Sequence, residues 1–384
     1  MPLIARASAF DRWALPMIKG AGSCQPYSRT VYAPAMTLLL PRPDGTSAQR
    51  GGIGRLKADR NVGSSDASRV LPALHTGANS PGPLLALSIL AGLVAAVLLA
   101  LQVWIAKPHN PGNDEFLYLT MARDLSQTGQ FTNGIFADDP GAPQKPGRFF
   151  APAYPVLVSL VSRLDPGLAS WVSCHAAQPY VDTAVCPGSA QTLFAVQVLM
   201  AAVGMACIFS IALNLSGSPL VAWIAILMTL ATGQPALYAK TYLSENPSFL
   251  AFYLFLACLV TAVTRRNHWM LGAAGASLAL AALSRPSYLY LYYAVIAALA
   301  LLALIRPPRN LGITWRATAL FAGAGLAVLA PWLLRNFFVF GEPSPTSGYG
   351  GFILAQRLAY SKRKPNSAWI GRAPVARSVI RCPR

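Results

Sequence analysis

Residues Pro83–Ala106 read PLLALSILAGLVAAVLLALQVWIA, a run of 24 residues that carries no charge. An α-helix of about 20 apolar residues is long enough to cross the hydrocarbon core of a bilayer. The whole chain is 54% hydrophobic, and only 11% of its 384 residues are charged. This composition excludes an ordinary soluble domain and predicts an all-α, polytopic transmembrane helix bundle.

Seven apolar runs are predicted to span the membrane, and the fifth is the shortest. They are Pro83–Ala106, Thr192–Leu213, Pro219–Ala239, Tyr242–Val263, Trp269–Leu283, Ser287–Ile305 and Ala317–Phe340. The transmembrane domain is expected at residues 81–356, with a long first outer loop at 107–191. Within that loop, Val156–Leu164 is too short to span and is predicted to be a helix lying in the interface.

The net charge of +18 is concentrated at the two termini. Ten Lys/Arg oppose four acids before Ser80, and eight oppose none from Arg357 onward. Such basic ends are typical of topology signals or contacts with membrane lipids, so no nucleic-acid partner is expected. Residues 1–80 are predicted to be a disordered cytoplasmic extension, or an over-long start of the reading frame. For the basic tail at 357–384 the hypothesis is out-of-frame or truncated sequence.

The distribution of Lys and Arg also predicts the orientation of the chain in a plasma or bacterial inner membrane. With the amino terminus cytoplasmic, the loops that carry Arg265 and Arg316 both fall inside. The segments outside then contain Asp114, Glu115, Arg148, Lys240, Glu245, Arg285 and Arg335, most of them at the ends of spans. Ionisable groups at membrane depth usually mark function, although any single one can simply snorkel to the interface.

The two acids follow the first span in Asn113-Asp114-Glu115-Phe116-Leu117-Tyr118. Asn113 is predicted to be the N-cap of a helix that Gly129 closes. Both carboxylates then lie in the first turn, where free N–H groups and the helix dipole favour their ionised form. Such a pair can bind a metal or take a proton from a hydroxyl; plain capping is the alternative.

Other residues leave two interpretations open. Cys174 and Cys186 could form a disulfide or stay free, and His175 and His268 are expected to be isolated surface residues. Glu245 is either part of a functional site or a cap of the fourth span. Tyr288, Tyr290, Tyr292 and Tyr293 are typical of an interfacial belt or of a sugar-stacking surface. Arg335, before the Gly-rich residues 347–351, could bind a phosphate or anchor to lipid headgroups.

Taken in order over Pro83 to Gln356, these motifs resemble the C-type glycosyltransferase superfamily, which includes protein O-mannosyltransferases and the aminoarabinose transferase of lipid A. The motifs are Asp114-Glu115 with Tyr118, Ala122 and Gly129, then Pro152–Pro155, Leu243-Ser244-Glu245, Ser284-Arg285-Pro286, Arg335-Asn336 and Phe340–Pro343.

The resemblance implies transfer of a sugar from a polyprenyl-phosphate carrier to a protein, lipid or glycan acceptor on the outer face. Asp114 would be the catalytic base and Glu115 its neighbour, because glycosyl transfer needs a base for the acceptor hydroxyl. Arg335, Arg285 and Lys240 would contact the departing phosphate. Tyr118 and Glu245 belong to the expected substrate site.

The resemblance places Arg148 where relatives carry a basic residue before a Pro-Pro pair, and this chain departs from that pattern with Phe149-Phe150-Ala151-Pro152. Some relatives use a divalent metal and others do not, so the cofactor stays open. The alternatives are a membrane transporter or lipid flippase, which would also gather charges between spans, and an inactive truncated remnant of the transferase.

Overall fold

The computed structural model describes residues 81–106, 109, 111–134, 145–177, 185–305 and 314–346. Within these ranges the chain forms helices and no strand, which confirms the all-α prediction. The predictions for the amino-terminal extension, the Gly-rich segment at 347–351 and the tail at 357–384 fall outside the described residues.

The described part of the chain has eleven helices. They are α1 (Pro81–Ile105), α2 (Asn113–Thr128), α3 (Ala153–Leu164), α4 (Pro166–Ala177), α5 (Gln191–Ser216), α6 (Pro219–Ala231), α7 (Gln234–Lys240), α8 (Glu245–Arg265), α9 (His268–Ser284), α10 (Ser287–Ile305) and α11 (Trp315–Phe340).

Five of these helices, α1, α5, α8, α10 and α11, are long and apolar enough to cross a membrane. The predicted third span is not one straight helix, because α6 and α7 meet at an angle of 55°. Gly233 lies at the break with a positive φ of 69°, a conformation open to glycine, and Pro235 then falls in the first turn of α7. The predicted fifth span is α9, an apolar helix of 17 residues.

Helix α9 packs against both α8 and α11. The approach to α11 is close: a Cβ on Gly275 would lie only 2.0 Å from the carbonyl oxygen of Phe321. Small residues allow helix backbones in a membrane to come this near. On the other side of α8, α5 packs against α8 and α1 packs against α5.

Helices α2, α3 and α4 pack on one another above the amino-terminal end of α5. Helix α3 is amphipathic, with Tyr154 and Val158 buried and Leu160 and Leu164 exposed. Its existence as a separate short helix was predicted; its position in a membrane interface remains a prediction.

Cys174, on α4, forms a disulfide with Cys186. The neighbouring His175 is not the surface residue that the sequence predicted, since its side chain is only 2% exposed. It packs against Trp171, with the ring centroids 4.2 Å apart, because this face of α4 turns towards the core. His268 is exposed, as predicted.

Candidate functional site

The first turn of α2 begins at Gly112 and not, as predicted, at Asn113. Gly112 is extended and is the N-cap, while Asn113 is already the first helical residue. The Gly112 carbonyl accepts from the Phe116 N–H at 2.9 Å, and the Gly112 N–H donates to the Glu115 carboxylate. Glu115 therefore supplies the side-chain cap that Asn113 was expected to provide. The predicted C-cap is confirmed, since Gly129 is left-handed.

The Glu115 side chain is buried and has partners from three parts of the chain. Besides Gly112, its Oε1 accepts from the backbone N–H of Tyr242 at 2.9 Å. The Nε2 atom of His109 lies 2.8 Å from both carboxylate oxygens and donates in the tautomer protonated there. The carboxylate thus joins α2 to residues 241–244, the joint between α7 and α8.

The environment of Glu115 favours its ionised form. Burial alone would raise the pKa of this carboxyl, but the hydrogen bonds from His109 and from the backbone of Gly112 and Tyr242 outweigh it. The net pKa lies below the usual value of 4.5. Glu115 is a fixed negative charge committed to contacts within the protein.

Asp114 has the opposite environment, although it precedes Glu115 directly. Its side chain is exposed, and it makes no hydrogen bond or ion pair with any residue in the described ranges. Consecutive helical residues point about 100° apart, so the same turn directs Glu115 inward and Asp114 outward. Asp114 is available to accept a proton or contact a cation.

A network of buried hydrogen bonds contacts the joint between α7 and α8. Tyr154 on α3 donates to Oε1 of Gln197 at 3.0 Å, and Nε2 of Gln197 donates to the Ala239 carbonyl at 3.0 Å. Asn246 donates to the Gln197 carbonyl at 3.0 Å. Tyr118, expected in the substrate site, donates to Ser244 Oγ at 3.3 Å and packs against Tyr154.

Three residues of this assembly were not predicted from the sequence: His109, Gln197 and Asn246. A buried amide inside an apolar span is a recognisable signal, because a polar group there needs a partner, and Gln197 carries it. No local pattern around His109 predicted its contact with Glu115.

Glu245 and Arg285 form an ion pair, with Arg285 Nη1 3.0 Å from Glu245 Oε1. Both side chains remain partly exposed, and they line a cleft of about 230 Å³. The other residues around this cleft are Tyr238, Ser248, Phe249, Phe252, Tyr253 and Tyr288. Of the four tyrosines predicted as a belt or stacking surface, Tyr288 thus faces the cleft, whereas Tyr290 and Tyr293 are exposed and Tyr292 is buried.

A second cleft of about 410 Å³ adjoins the first at the break between α6 and α7. Tyr238, Phe249 and Tyr253 line both clefts, and we call the two adjoining clefts the groove. The groove runs from Met228 and Thr232 on the α6 side to the Glu245–Arg285 pair.

Lys240 is the last residue of α7 and stands two residues before Tyr242. Its side chain is half-buried and has neither a hydrogen bond nor an ion pair among the residues that the structure describes. It is a cation beside the joint that Glu115 contacts.

The side chain of Arg335, near the end of α11, forms hydrogen bonds within the protein. Its guanidinium donates to the carbonyls of Gly147 at 2.6 Å and Phe131 at 2.9 Å, and to Asn336 Oδ1 at 2.9 Å. It also lies over the Trp332 ring, 4.9 Å from the centroid. Arg335 therefore ties the two flanks of the outer-loop segment 135–144 to α11.

Arg148 has a related role beside it. Its Nη2 lies 3.0 Å from Oε2 of Glu342, and its guanidinium lies 4.7 Å from the centre of the Phe340 ring. The Nη1 atom is buried and has no hydrogen-bond partner. This pair links the loop to the Phe340–Pro343 motif just beyond α11.

These contacts bring the predicted site residues to one end of the helix bundle, which we call the site end. Glu115, Glu245, Arg285 and Arg335 define it. The residues fall into separate groups there: the Glu115 junction, the Glu245–Arg285 cleft and the Arg148–Arg335 anchor, with Asp114 and Lys240 unpaired. Over the described ranges, no three His, Cys, Asp or Glu side chains are grouped so that they could hold a metal ion.

Comparison of the chain with protein-family models, with curated proteins and with solved structures found no match. A functional assignment therefore depends on the geometry of the site end and on the motifs that meet there.

Proposed function

We propose that the chain is an integral-membrane glycosyltransferase that moves a sugar from a polyprenyl-phosphate carrier to an acceptor hydroxyl. The observation that carries this proposal is the contrast between two adjacent acids. Asp114 is exposed and unpaired, while Glu115 is buried and bonded to the joint that leads into Lys240 and Glu245. A free carboxylate is thereby held on a rigid support at the end of the bundle that also carries Lys240 and Arg285.

In the proposed reaction Asp114 takes the proton of the acceptor hydroxyl as its oxygen attacks the anomeric carbon of the sugar. The bond from that carbon to the carrier phosphate breaks, and its electron pair leaves with the phosphate oxygen. Lys240 and Arg285 stabilise the charge that develops on this phosphate. Arg335 and Arg148 are better suited to positioning the loop, because Arg335 is held by two backbone carbonyls and the Arg148 side chain is only 18% exposed. The Arg285 side chain is paired with Glu245 but is 43% exposed in the cleft.

The groove beside Arg285 suits a carrier with an apolar chain. Its walls include Tyr238, Phe249 and Tyr253, and it extends to Met228 at the broken helix pair. Apolar and aromatic walls with a few polar groups at one end are typical of ligand sites.

The proposed topology adds the bent pair α6–α7 and the short α9 to the five candidate spans, which makes seven. With the amino terminus cytoplasmic, the site end faces outward. The Cys174–Cys186 disulfide supports this orientation, since disulfides persist in oxidising compartments.

The decisive assay measures free polyprenyl phosphate released by the purified full chain from a panel of polyprenyl-phosphate sugars, with and without a divalent metal. Asp114→Asn is expected to abolish release, while Asp165→Asn, a matched change of another acid in the same loop, is expected to retain it. If the Asp114→Asn variant still releases the phosphate, Asp114 is not the base. No release from a folded preparation with any donor would reject the transferase and leave the transporter or the inactive remnant.

A transporter or lipid flippase is the second candidate, favoured by the 55° break between α6 and α7 with a cleft at the break. Discontinuous helices commonly form the binding sites of transporters. In sealed vesicles a flippase would move the carrier-linked sugar to the opposite leaflet without releasing free carrier phosphate. The transferase would release the phosphate, so the two measurements separate the two functions.

A further inference from the structure

The end of the bundle opposite the site end carries a group of unpaired basic residues. We call this the basic end and define it by Arg265, Arg266, His268 and Arg316. Helix α8 ends at Arg265, α9 begins at His268, and α11 begins at Trp315. Ala262, Leu271 and Ala317 pack together in one buried cluster, which brings the three helix ends side by side.

Among the residues that the structure describes, none of the acids pairs with the basic end. All four basic side chains are exposed, and none has a hydrogen bond or ion pair among the described residues. The sequence from Asn246 to Gly341 contains no Asp or Glu at all. These four basic side chains are therefore available to bind an anion from outside the protein.

Helix dipoles do not account for this placement. A cation at the carboxyl end of α8 is favourable, which suits Arg265. Arg316 lies in the first turn of α11, where the dipole opposes a positive charge. The charges are thus gathered by position in the bundle and not by helix polarity.

The backbone conformation of Arg266 is also unfavourable for a residue other than glycine. It is the C-cap of α8 with a φ of 53°, and in the described ranges it is the one residue other than glycine with a positive φ. The left-handed ends of α2, α5 and α11 all use glycine, at Gly129, Gly217 and Gly341. Strain kept at a position where glycine would serve indicates that the arginine side chain is needed there.

Two tryptophans flank the same group. Trp269 and Trp315 are 68% and 56% exposed. Exposed tryptophans next to arginines, at the ends of apolar helices, are typical of the headgroup level of a bilayer. The anion that this surface would meet is therefore a lipid phosphate rather than a soluble molecule.

We propose that the basic end is a binding surface for anionic phospholipid headgroups, with Arg265, Arg266 and Arg316 contacting the phosphates and Trp269 and Trp315 lying at the level of the headgroups. This inference does not depend on the transferase activity. It predicts a preference for anionic over zwitterionic lipid of the same acyl chains that weakens as salt is added.

The test uses the purified full chain in micelles doped with phosphatidylglycerol or phosphatidylcholine, and follows binding by native mass spectrometry and the rise in melting temperature. We expect the triple change Arg265→Gln, Arg266→Gln and Arg316→Gln to lower the phosphatidylglycerol affinity by roughly fivefold per arginine. The matched control is Lys145→Gln with Arg163→Gln, two exposed basic residues of the outer loop, and it should keep the preference. Because the basic termini remain in both variants, the comparison isolates this surface.

Arg266→Gly provides a second, independent variant. It should raise the melting temperature in lipid-free detergent, because glycine relieves the positive φ, and still weaken phosphatidylglycerol binding by about fivefold. An unchanged lipid preference in either variant would overturn the proposal. So would displacement of the lipid by millimolar inorganic phosphate, or tighter binding of an acidic soluble peptide than of phosphatidylglycerol.

Discussion

The carboxylate of Glu115 accepts a hydrogen bond from the backbone N–H of Tyr242 at 2.9 Å, across 127 positions of the chain. This bond connects the first turn of α2 to the joint between α7 and α8. The neighbouring Asp114, which points in another direction from the same turn, is exposed. The structural acid and the available acid are therefore separate residues, and mutations can tell them apart.

Glu115→Ala should destabilise the fold, whereas Asp114→Ala should not. Removing the buried carboxylate leaves the N–H groups of Gly112 and Tyr242 without an acceptor, and hydrogen bonds to a charged group contribute about 1.5–3 kcal/mol. We expect the free energy of unfolding to fall by about 2–4 kcal/mol for Glu115→Ala. Asp114→Ala should stay within about 0.5 kcal/mol, as for other surface changes. Equal losses in detergent unfolding experiments would contradict the division of roles.

Arg335→Lys should loosen the outer loop even though it keeps the charge. Lysine cannot reproduce the fork that reaches the Gly147 and Phe131 carbonyls together. We expect a loss of about 1.5–3 kcal/mol in stability, and faster hydrogen exchange at the Gly147 amide, which donates to Phe131. The control is Arg163→Lys on the exposed face of α3. Unchanged exchange at Gly147 in the Arg335 variant would argue against the anchoring role.

His175 should make stability depend on pH. Burial lowers the pKa of this imidazole below its usual 6.5, so between the two values the unfolded chain binds a proton that the folded chain does not. The free energy of unfolding must then decrease as the pH falls below about 6.5. His175→Leu should reduce this dependence, because leucine does not titrate. The change should cost no hydrogen bond at Nε2, which has no partner among the described residues.

The measurement for His175 is the melting temperature at several pH values between about 7.5 and 5. His268→Leu serves as the control, since His268 is exposed. A pH profile of His175→Leu identical to that of the unmodified chain would show that another group is responsible.

Gly275→Ala should disrupt the packing of α9 on α11, because the added methyl carbon would lie 2.0 Å from the Phe321 carbonyl oxygen. Overpacking of this kind costs about 1–3 kcal/mol. Gly323→Ala on α11 is the matched control, as its Cβ would meet nothing within 4 Å, and alanine improves helix propensity there by up to about 1 kcal/mol. Melting temperatures that shift in the same direction for both variants would refute the close contact.

Long apolar segments were the most predictable part of the fold. The sixth predicted span, Ser287–Ile305, coincides with α10, and the seventh, Ala317–Phe340, differs from α11 only at its start. Continuous hydrophobicity defines such helices locally. The third predicted span was the exception, because Gly233 and Pro235 divide it into two helices. Glycine and proline are helix breakers that can be recognised in the sequence, even within an apolar run.

Within the site, the sequence identified the ionisable residues but not their partners. It predicted that Arg285 and Glu245 meet at the same end of the bundle, and the structure places them 3.0 Å apart. It did not predict that Arg335 would be held by backbone carbonyls. Those bonds join residues about 190 to 200 positions apart, a separation over which local patterns carry no information.

The sequence by itself determined that this protein is a bundle of apolar helices with charged residues at the helix ends, because helix length, hydrophobicity and glycine caps are properties of neighbouring residues. Only the tertiary structure decided the environments of those charges. Asp114 and Glu115 are adjacent acids in one helical turn, and the sequence did not predict which of them would be buried. Glu115 is buried and hydrogen-bonded to the distant Tyr242 amide and to His109, so it is a fixed charge. Asp114 is exposed and available for chemistry.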